Sequence, residues 1–188
     1  MSTEPRSNAR LSRADWVEAA TRTGTRIGFE NLAVEPLAAE IGASKGSFYW
    51  HFRDRAELVS AVVEQWAHEA TEAVIADIEK GPGGNALERL IDVVLGHPES
   101  DTTEWRILGA TDHPQIGPVV ARVHEARIDY VRRLLRSRGM TPARAAARAR
   151  VLYAAYLGNL ALLDTPGVAD SVRRSSLRRE FIAMIDAP

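Results

Sequence analysis

The sequence predicts an all-α fold of about nine helices, and three observations carry that prediction. Apolar residues recur at helical spacing along most of the 188 residues. Ser, Thr, Asp and Asn stand where helices would start, and Gly or Pro where they would stop. No run alternates apolar and polar residues between turn residues, as a half-buried strand would. A chain of this length can bury a core without disulfide or metal staples.

Each element follows from a local signal. Ser12 with Asp15 reads as a capping box opening a helix that runs to about Gly28. A short helix fits Val34 to Ile41, ended by Gly42, and a third fits Lys45 to Phe52 with Ser44 as its N-cap. Asp54 with Glu57 is a second capping box. It opens a long helix whose stripe is Val59, Val62, Val63, Trp66, Ala70, Ala73 and Val74, stopped by Gly81-Pro82-Gly83-Gly84. Asn85 with Glu88 caps the next helix, which ends near Gly96-His97-Pro98, and a shorter one covers Thr102 to Ala110.

Beyond the turn Asp112-His113-Pro114, Pro118 fits the first turn of a helix reaching Arg138, with Gly139 at its end. Thr141-Pro142 opens a helix to Leu163. After Pro166-Gly167, a last helix runs from about Ser171 to Asp186.

Composition narrows the function classes. There is no cysteine, so disulfides, thiolate-held cofactors, zinc-finger ligand sets and thiol nucleophiles are excluded, and no cofactor is expected. Met1 to Arg10 is polar, and no stretch approaches the roughly 18 apolar residues that span a bilayer, so a soluble, cytoplasmic protein without membrane contact is expected. The net charge of −1 hides an asymmetry. Residues 1–57 carry 8 basic and 8 acidic side chains, residues 58–120 carry 3 and 11, and residues 121–188 carry 13 and 6. A phosphate surface would be repelled by the acidic middle. The basic end is a rival surface, but its arginines recur around helices, as on solvated faces.

Residues 34–52 carry the functional signal. The turn Gly42-Ala43-Ser44 joins two helices too short to stand alone, so they must share a small core, which Phe48 and Phe52 supply at i, i+4. At about 100° per residue, Gly46, Ser47 and Trp50 fall on the opposite face, with Tyr49 and His51 on either flank. Small and planar groups at the centre with hydrogen-bonding groups at the edges suit a helix entering a major groove. For Trp50, packing against the neighbouring module is the alternative.

The run from Ile41 to Leu58 resembles the signature of the tetracycline-repressor (TetR) family. The likeness lies in the Gly42-Ala43-Ser44 turn, the hydroxyl residue Ser47, the segment Tyr49-Trp50-His51-Phe52 and the basic residue starting the fourth helix. Gly28-Phe29-Glu30 matches as well. The resemblance implies a helix-turn-helix DNA-binding domain over residues 1–55 and a helical effector-binding and dimerisation domain over residues 56–188. It implies contact with a double-stranded DNA operator through Lys45, Gly46, Ser47, Tyr49, Trp50 and His51, with Arg55 on phosphate. One departure is Ala33, where the family usually has a capping Ser or Thr that also meets phosphate.

The helix from Pro142 to Leu163 has two apolar stripes, Val151, Ala155, Gly158, Leu162 and Leu152, Tyr156, Asn159, Leu163. One can cover its own core and the other a second copy; Leu177, Phe181, Met184 and Ile185 would join that homodimer seam, with an intramolecular core as the alternative. The resemblance places a small-molecule effector in the larger helical part, where Trp66, Trp105, His113, Tyr130, Tyr153, Tyr156 and Asn159 could line a pocket. Ordinary core packing is the alternative for each. A transcriptional repressor released by its effector is expected, and not an enzyme: His97, His113, His124 and Asp112 match no metal-ligand spacing.

Overall fold

The computed structural model describes residues 11–82, 85–96, 98–165, 168 and 174–186. The expectations placed on Met1 to Arg10, Gly83, Gly84, His97, Pro166, Gly167 and Ser171 lie outside those residues. The fold is all-helical. The elements are α1 (Arg13–Ile27), α2 (Val34–Glu40), α3 (Lys45–Tyr49), α4 (Arg55–Ala67), α5 (Ala73–Lys80), α6 (Ala86–Val94), α7 (Pro98–Gly109), α8 (Gly117–Ser137), α9 (Pro142–Leu163) and α10 (Arg174–Asp186). A π turn, His68–Glu72, joins α4 to α5 in one continuous rod, so nine helical rods stand among the described residues. The chain divides into two compact units, with the boundary between Val62 and Val63, inside α4.

In the first unit, Ser12 caps α1 through the reciprocal bonds that its spacing to Asp15 predicts. Those bonds hold the Asp15 carboxyl below its usual range. The buried face of α1 carries Trp16, Val17, Ala19 and Ala20. Gly24 lets the Phe29 ring pack against α1, since a Cβ there would lie 2.4 Å from that ring. Gly28, at φ 88°, turns the chain into the 3-10 turn Phe29–Asn31. Gly42, at φ 67°, makes the bend between α2 and α3.

The core of this unit is aromatic. Phe48 meets Trp16 edge-on at 5.3 Å and stacks on Phe52 at 5.5 Å, and all three are fully buried. The helix α3 ends at Tyr49, three residues before the expected Phe52, because the chain must turn at Trp50 and His51 to start α4. Asp54 caps α4 by accepting from the Glu57 amide, but Glu57 reaches back to the amide of Arg53, not Asp54.

Four sequence expectations change in the second unit. The π turn adds one residue to the α4–α5 rod, so the buried stripe moves from the expected Ala70 and Ala73 to Thr71 and Ile78, and Ala73 is exposed. Asn85 stands at the N-cap of α6, yet its side chain makes no capping bond. The helix α7 starts at Pro98 and not at Thr102, because proline lacks only an amide that the first turn leaves unpaired anyway. Phe181 and Ile185 of α10 are buried within their own chain, where α10 packs on α6 and α9, so they are not on an open seam.

The pair α8 and α9 is joined by a tight turn. Gly139 at φ 87° lets its amide donate to Arg136 and the Met140 amide to Leu135. Of the two stripes on α9, Leu152 and Tyr156 are buried, while Val151 and Leu162 remain about half exposed, at 56% and 55%. Among the described residues, no helix is long and apolar enough to cross a membrane.

Candidate nucleic-acid interface and interior polar cluster

The surface of α3 is set by its anchor. With Phe48 fully buried, the opposite face turns outward: Trp50 is 77% exposed and Tyr49 54%. The hydroxyl of Ser44 accepts from the Ser47 amide at 3.1 Å, which caps α3 and fixes Ser47 at its first turn. Gly46 is exposed, and a Cβ there would meet only the Ser44 hydroxyl at 3.7 Å. Nothing within the unit demands glycine, so the open space lies toward whatever approaches from outside. Ala33 gives α2 no side-chain cap.

Three expected contact residues are tied within the protein. Lys45 Nζ lies 2.5 Å from Glu35 Oε1, with both side chains exposed. Their hydrogen bond, before their mutual attraction, raises the Lys45 pKa and, with Glu35's own amide, lowers that of Glu35. His51 Nε2–H donates to the Leu11 carbonyl at 2.9 Å. Arg55 donates through one terminal nitrogen to the carbonyls of Glu30 at 2.9 Å and Leu32 at 3.2 Å, clamping the segment before α2 to the start of α4.

The second unit holds a buried polar cluster. Arg127 of α8 donates from Nε to Thr71 Oγ1 at 2.8 Å, from one terminal nitrogen to the Ala70 carbonyl at 2.9 Å, and from the other to Glu104 Oε1 of α7. Tyr156 of α9 donates to the same Glu104 oxygen at 2.8 Å. The guanidinium sits 5.6 Å from the centre of the Trp66 ring. Burial works against the Arg127 charge, but Glu104 and the neighbouring tyrosines outweigh it and hold its pKa above the ordinary value. Next to it, Tyr153 and His124 Nδ1 are 2.8 Å apart. Burial, then the Arg127 charge, lowers the His124 pKa, so its ring is neutral at pH 7.

Of the seven residues expected around an effector, Trp66, Tyr153 and Tyr156 gather at this cluster. Tyr130 is buried one turn further along α8, its hydroxyl without a partner among the described residues. Trp105, His113 and Asn159 are half-buried, and His113 Nδ1 accepts from the Gln115 amide at 3.3 Å. A shallow cleft between α5 and α6, with Ile78, Arg89 and Asp92 in its walls, includes none of the seven. The central charges, Glu104 and Arg127, were not singled out from sequence. Their signal is a charge on an apolar stripe: Arg127 follows Val123 by four residues and precedes Tyr130 by three. Among the described residues no group of three or more His, Asp or Glu is placed to hold a metal.

Two short helices around a glycine bend, on an aromatic core that leaves the second helix's outer face bare, define a helix-turn-helix protein. Residues 17–62, the helix-turn-helix segment, match the model of the bacterial regulatory proteins of the tetR family. The match ends at Val62, where the first compact unit ends. The HTH-type transcriptional regulator AcrR of Shigella flexneri is 28% identical over 111 residues, which are 56% of this chain and 49% of AcrR. The repressor AcnR of Corynebacterium diphtheriae is 32% identical over 95 residues, 50% of this chain and 46% of AcnR. The chain thus spans about half the length of these relatives. A Saccharomonospora viridis protein solved with choline shares the fold across 93% of this chain and 95% of its own, with a TM-score of 0.75 at 18% identity.

Proposed function

We propose that the chain is a cytoplasmic DNA-binding transcriptional regulator, a repressor released from a near-palindromic operator by a small-molecule effector. The observation that carries the reading is α3 with its C-terminal turn: Phe48 is fully buried, while Tyr49 and the following Trp50 are 54% and 77% exposed. Solvent-exposed aromatic surface beside a helix braced from behind is suited to docking, and the tetR-family match over residues 17–62 supports DNA as the partner. Residues 1–55 bind DNA, with Lys45, Gly46, Ser47, Tyr49 and Trp50 presented to the groove. His51 and Arg55 hold the recognition helix in place from its flanks. AcnR is named as a repressor, which supports that sign of control.

Residues 56–188 hold the effector and the homodimer seam. Val151 and Leu162 leave an apolar stripe bare on α9, and between them Gly158 has open space where a Cβ would stand. A second copy crossing at that stripe would cover it and give Gly158 its reason. The choline carried by the Saccharomonospora viridis protein supports a small organic effector for this fold. Regulators as relatives support a role without catalysis.

A gel shift with the DNA flanking the protein's own gene tests the reading. Wild-type protein should shift that DNA in preference to random duplex, Trp50→Ala should lose the shift, and sedimentation should give a dimer at micromolar concentration. Equal binding of both duplexes would overturn it.

A further inference from the structure

We propose that the cluster around Arg127 is the seat of a carboxylate-bearing effector, and that Glu104 occupies the seat when no effector is bound. The proposal rests on reading residues 56–188 as an effector-binding body, and it names the class of molecule that body takes.

A buried ion pair needs a reason, because apolar residues of similar volume would serve the fold as well or better. The side chains of Arg127 and Glu104 keep only 12% and 10% of their surface. Their attachments are unequal. Arg127 uses all three guanidinium nitrogens, two of them on the neutral acceptors Thr71 Oγ1 and Ala70 O of the π turn, which would hold it in place without Glu104. Among the described residues, the hydrogen bonds of Glu104 both fall on the single oxygen Oε1, from Arg127 and Tyr156. The carboxylate is therefore the member of the pair that a ligand can replace.

Two donors from different helices, the Arg127 guanidinium and the Tyr156 hydroxyl, converge on one oxygen position. A carboxylate brought by a ligand would meet both without rearranging either. The surroundings are also rich in donors. Trp66 is 92% buried, stands against the guanidinium, and has an indole N–H with no acceptor among the described residues. An incoming anion is the kind of group that could satisfy it, and the faces of Trp66, Tyr153 and Tyr156 offer apolar walls to the rest of the molecule.

An organic cation fits less well, because the place over the Trp66 ring is already held by the guanidinium. A second positive charge there would face Arg127 at low dielectric. Substitution of Glu104 also has a consequence for the body, since Glu104 is what ties α7 to Arg127 on α8 and to Tyr156 on α9.

Calorimetric titration of the full chain with octanoate and with octyltrimethylammonium, equal tails with opposite head charges, tests the proposal. Wild type should bind octanoate saturably and the ammonium not at all. Glu104→Gln, which removes the competing charge, should bind octanoate about tenfold tighter, and Tyr156→Phe about tenfold weaker. If the ammonium binds instead and Glu104→Gln abolishes it, the carboxylate class is wrong while the effector site stands. If neither probe binds, or if both variants bind octanoate as wild type does, the effector reading of this cluster falls with it. Tyr156→Phe keeps its ring and packing, so the test survives should Glu104→Gln fail to fold.

Discussion

The two units solve the problem of a helical core in opposite ways. Residues 11–62 surround Phe48 with Trp16 and Phe52, and their ion pairs stay at the surface, as in Arg22 with Glu18 and Lys45 with Glu35. Residues 63–186 bring a guanidinium, a carboxylate and two tyrosine hydroxyls inside, with Arg127 and Tyr156 bonded to Glu104 and Tyr153 bonded to His124. A core of rings is held by shape, and it fixes one geometry for the surface above it. A charged interior is stable only while every member is paired, so its arrangement answers to anything that offers a different partner. Rigidity would serve the proposed DNA-reading helix, and conditional stability would serve the proposed effector seat.

The largest effects should come from opening either core. Phe48→Ala should lower the unfolding free energy by about 3–5 kcal/mol, through lost burial and the cavity left beside Trp16. Arg127→Ala should cost a similar ~3–5 kcal/mol, by leaving Glu104 buried and unpaired. Urea unfolding followed by tryptophan fluorescence would measure both. The comparison is sharpened by the double variant Arg127→Met, Glu104→Leu, which should recover most of the loss, since removing both charges removes the penalty. If the double variant stays as unstable as the single one, the cluster is a structural brace and the contrast between the units disappears.

A smaller effect is expected at Arg55, whose bonds to Glu30 and Leu32 belong to the first kind of core. Arg55→Ala should destabilise residues 11–62 by roughly 1–3 kcal/mol. The folded variant should keep the salt dependence of its DNA binding. A role on phosphate would instead lower the slope of log affinity against log salt by about one unit.

The same contrast explains what the sequence made legible. The capping box at Ser12, the glycine bend at Gly42, the Phe48 and Phe52 anchors and the Pro142 start are each written in a few adjacent residues, and each stands as read. The α4–α5 rod was legible as one helix, but its π turn was not, because nothing at His68–Glu72 breaks the apolar period. Glu104, Arg127 and Tyr156 lie on three helices, and only their packing joins them. Trp66, Tyr153 and Tyr156 were found by type, while the charges that organise them were hidden among ordinary surface residues.

A pH effect should separate the units further. The folded-state pKa of His124 lies below its ordinary value, so from about pH 6.5 downward the unfolded chain binds a proton that the folded chain resists. Stability should therefore fall as pH drops through that window and level off below the depressed value. His124→Gln should flatten the response. Equal pH dependence in the variant would show that another group carries it.

The smallest effect concerns the surface above the rigid core, and it is read in DNA binding, not in stability. The Glu35 carboxylate holds the Lys45 ammonium at the start of α3 and, if α3 reads DNA as proposed, also places a negative charge where phosphates would approach. Because the Glu35 pKa is lowered, its contribution is present above the ordinary carboxylate range and lost only as pH falls through the lowered value. The raised Lys45 pKa keeps the ammonium charged until pH rises through that value, so the pair is intact across the neutral range. Glu35→Gln should therefore act alike at pH 6 and pH 8. It should tighten binding to random duplex by about tenfold at low salt and steepen its salt dependence by about one unit, because one repelling charge is gone. Operator binding should gain less, because Lys45 loses the partner that aims it, so the ratio between operator and random duplex should narrow. Equal gains on both duplexes would reduce Glu35 to a bulk charge. No gain on either would place Lys45 away from the DNA and break the link between the rigid core and the face it presents.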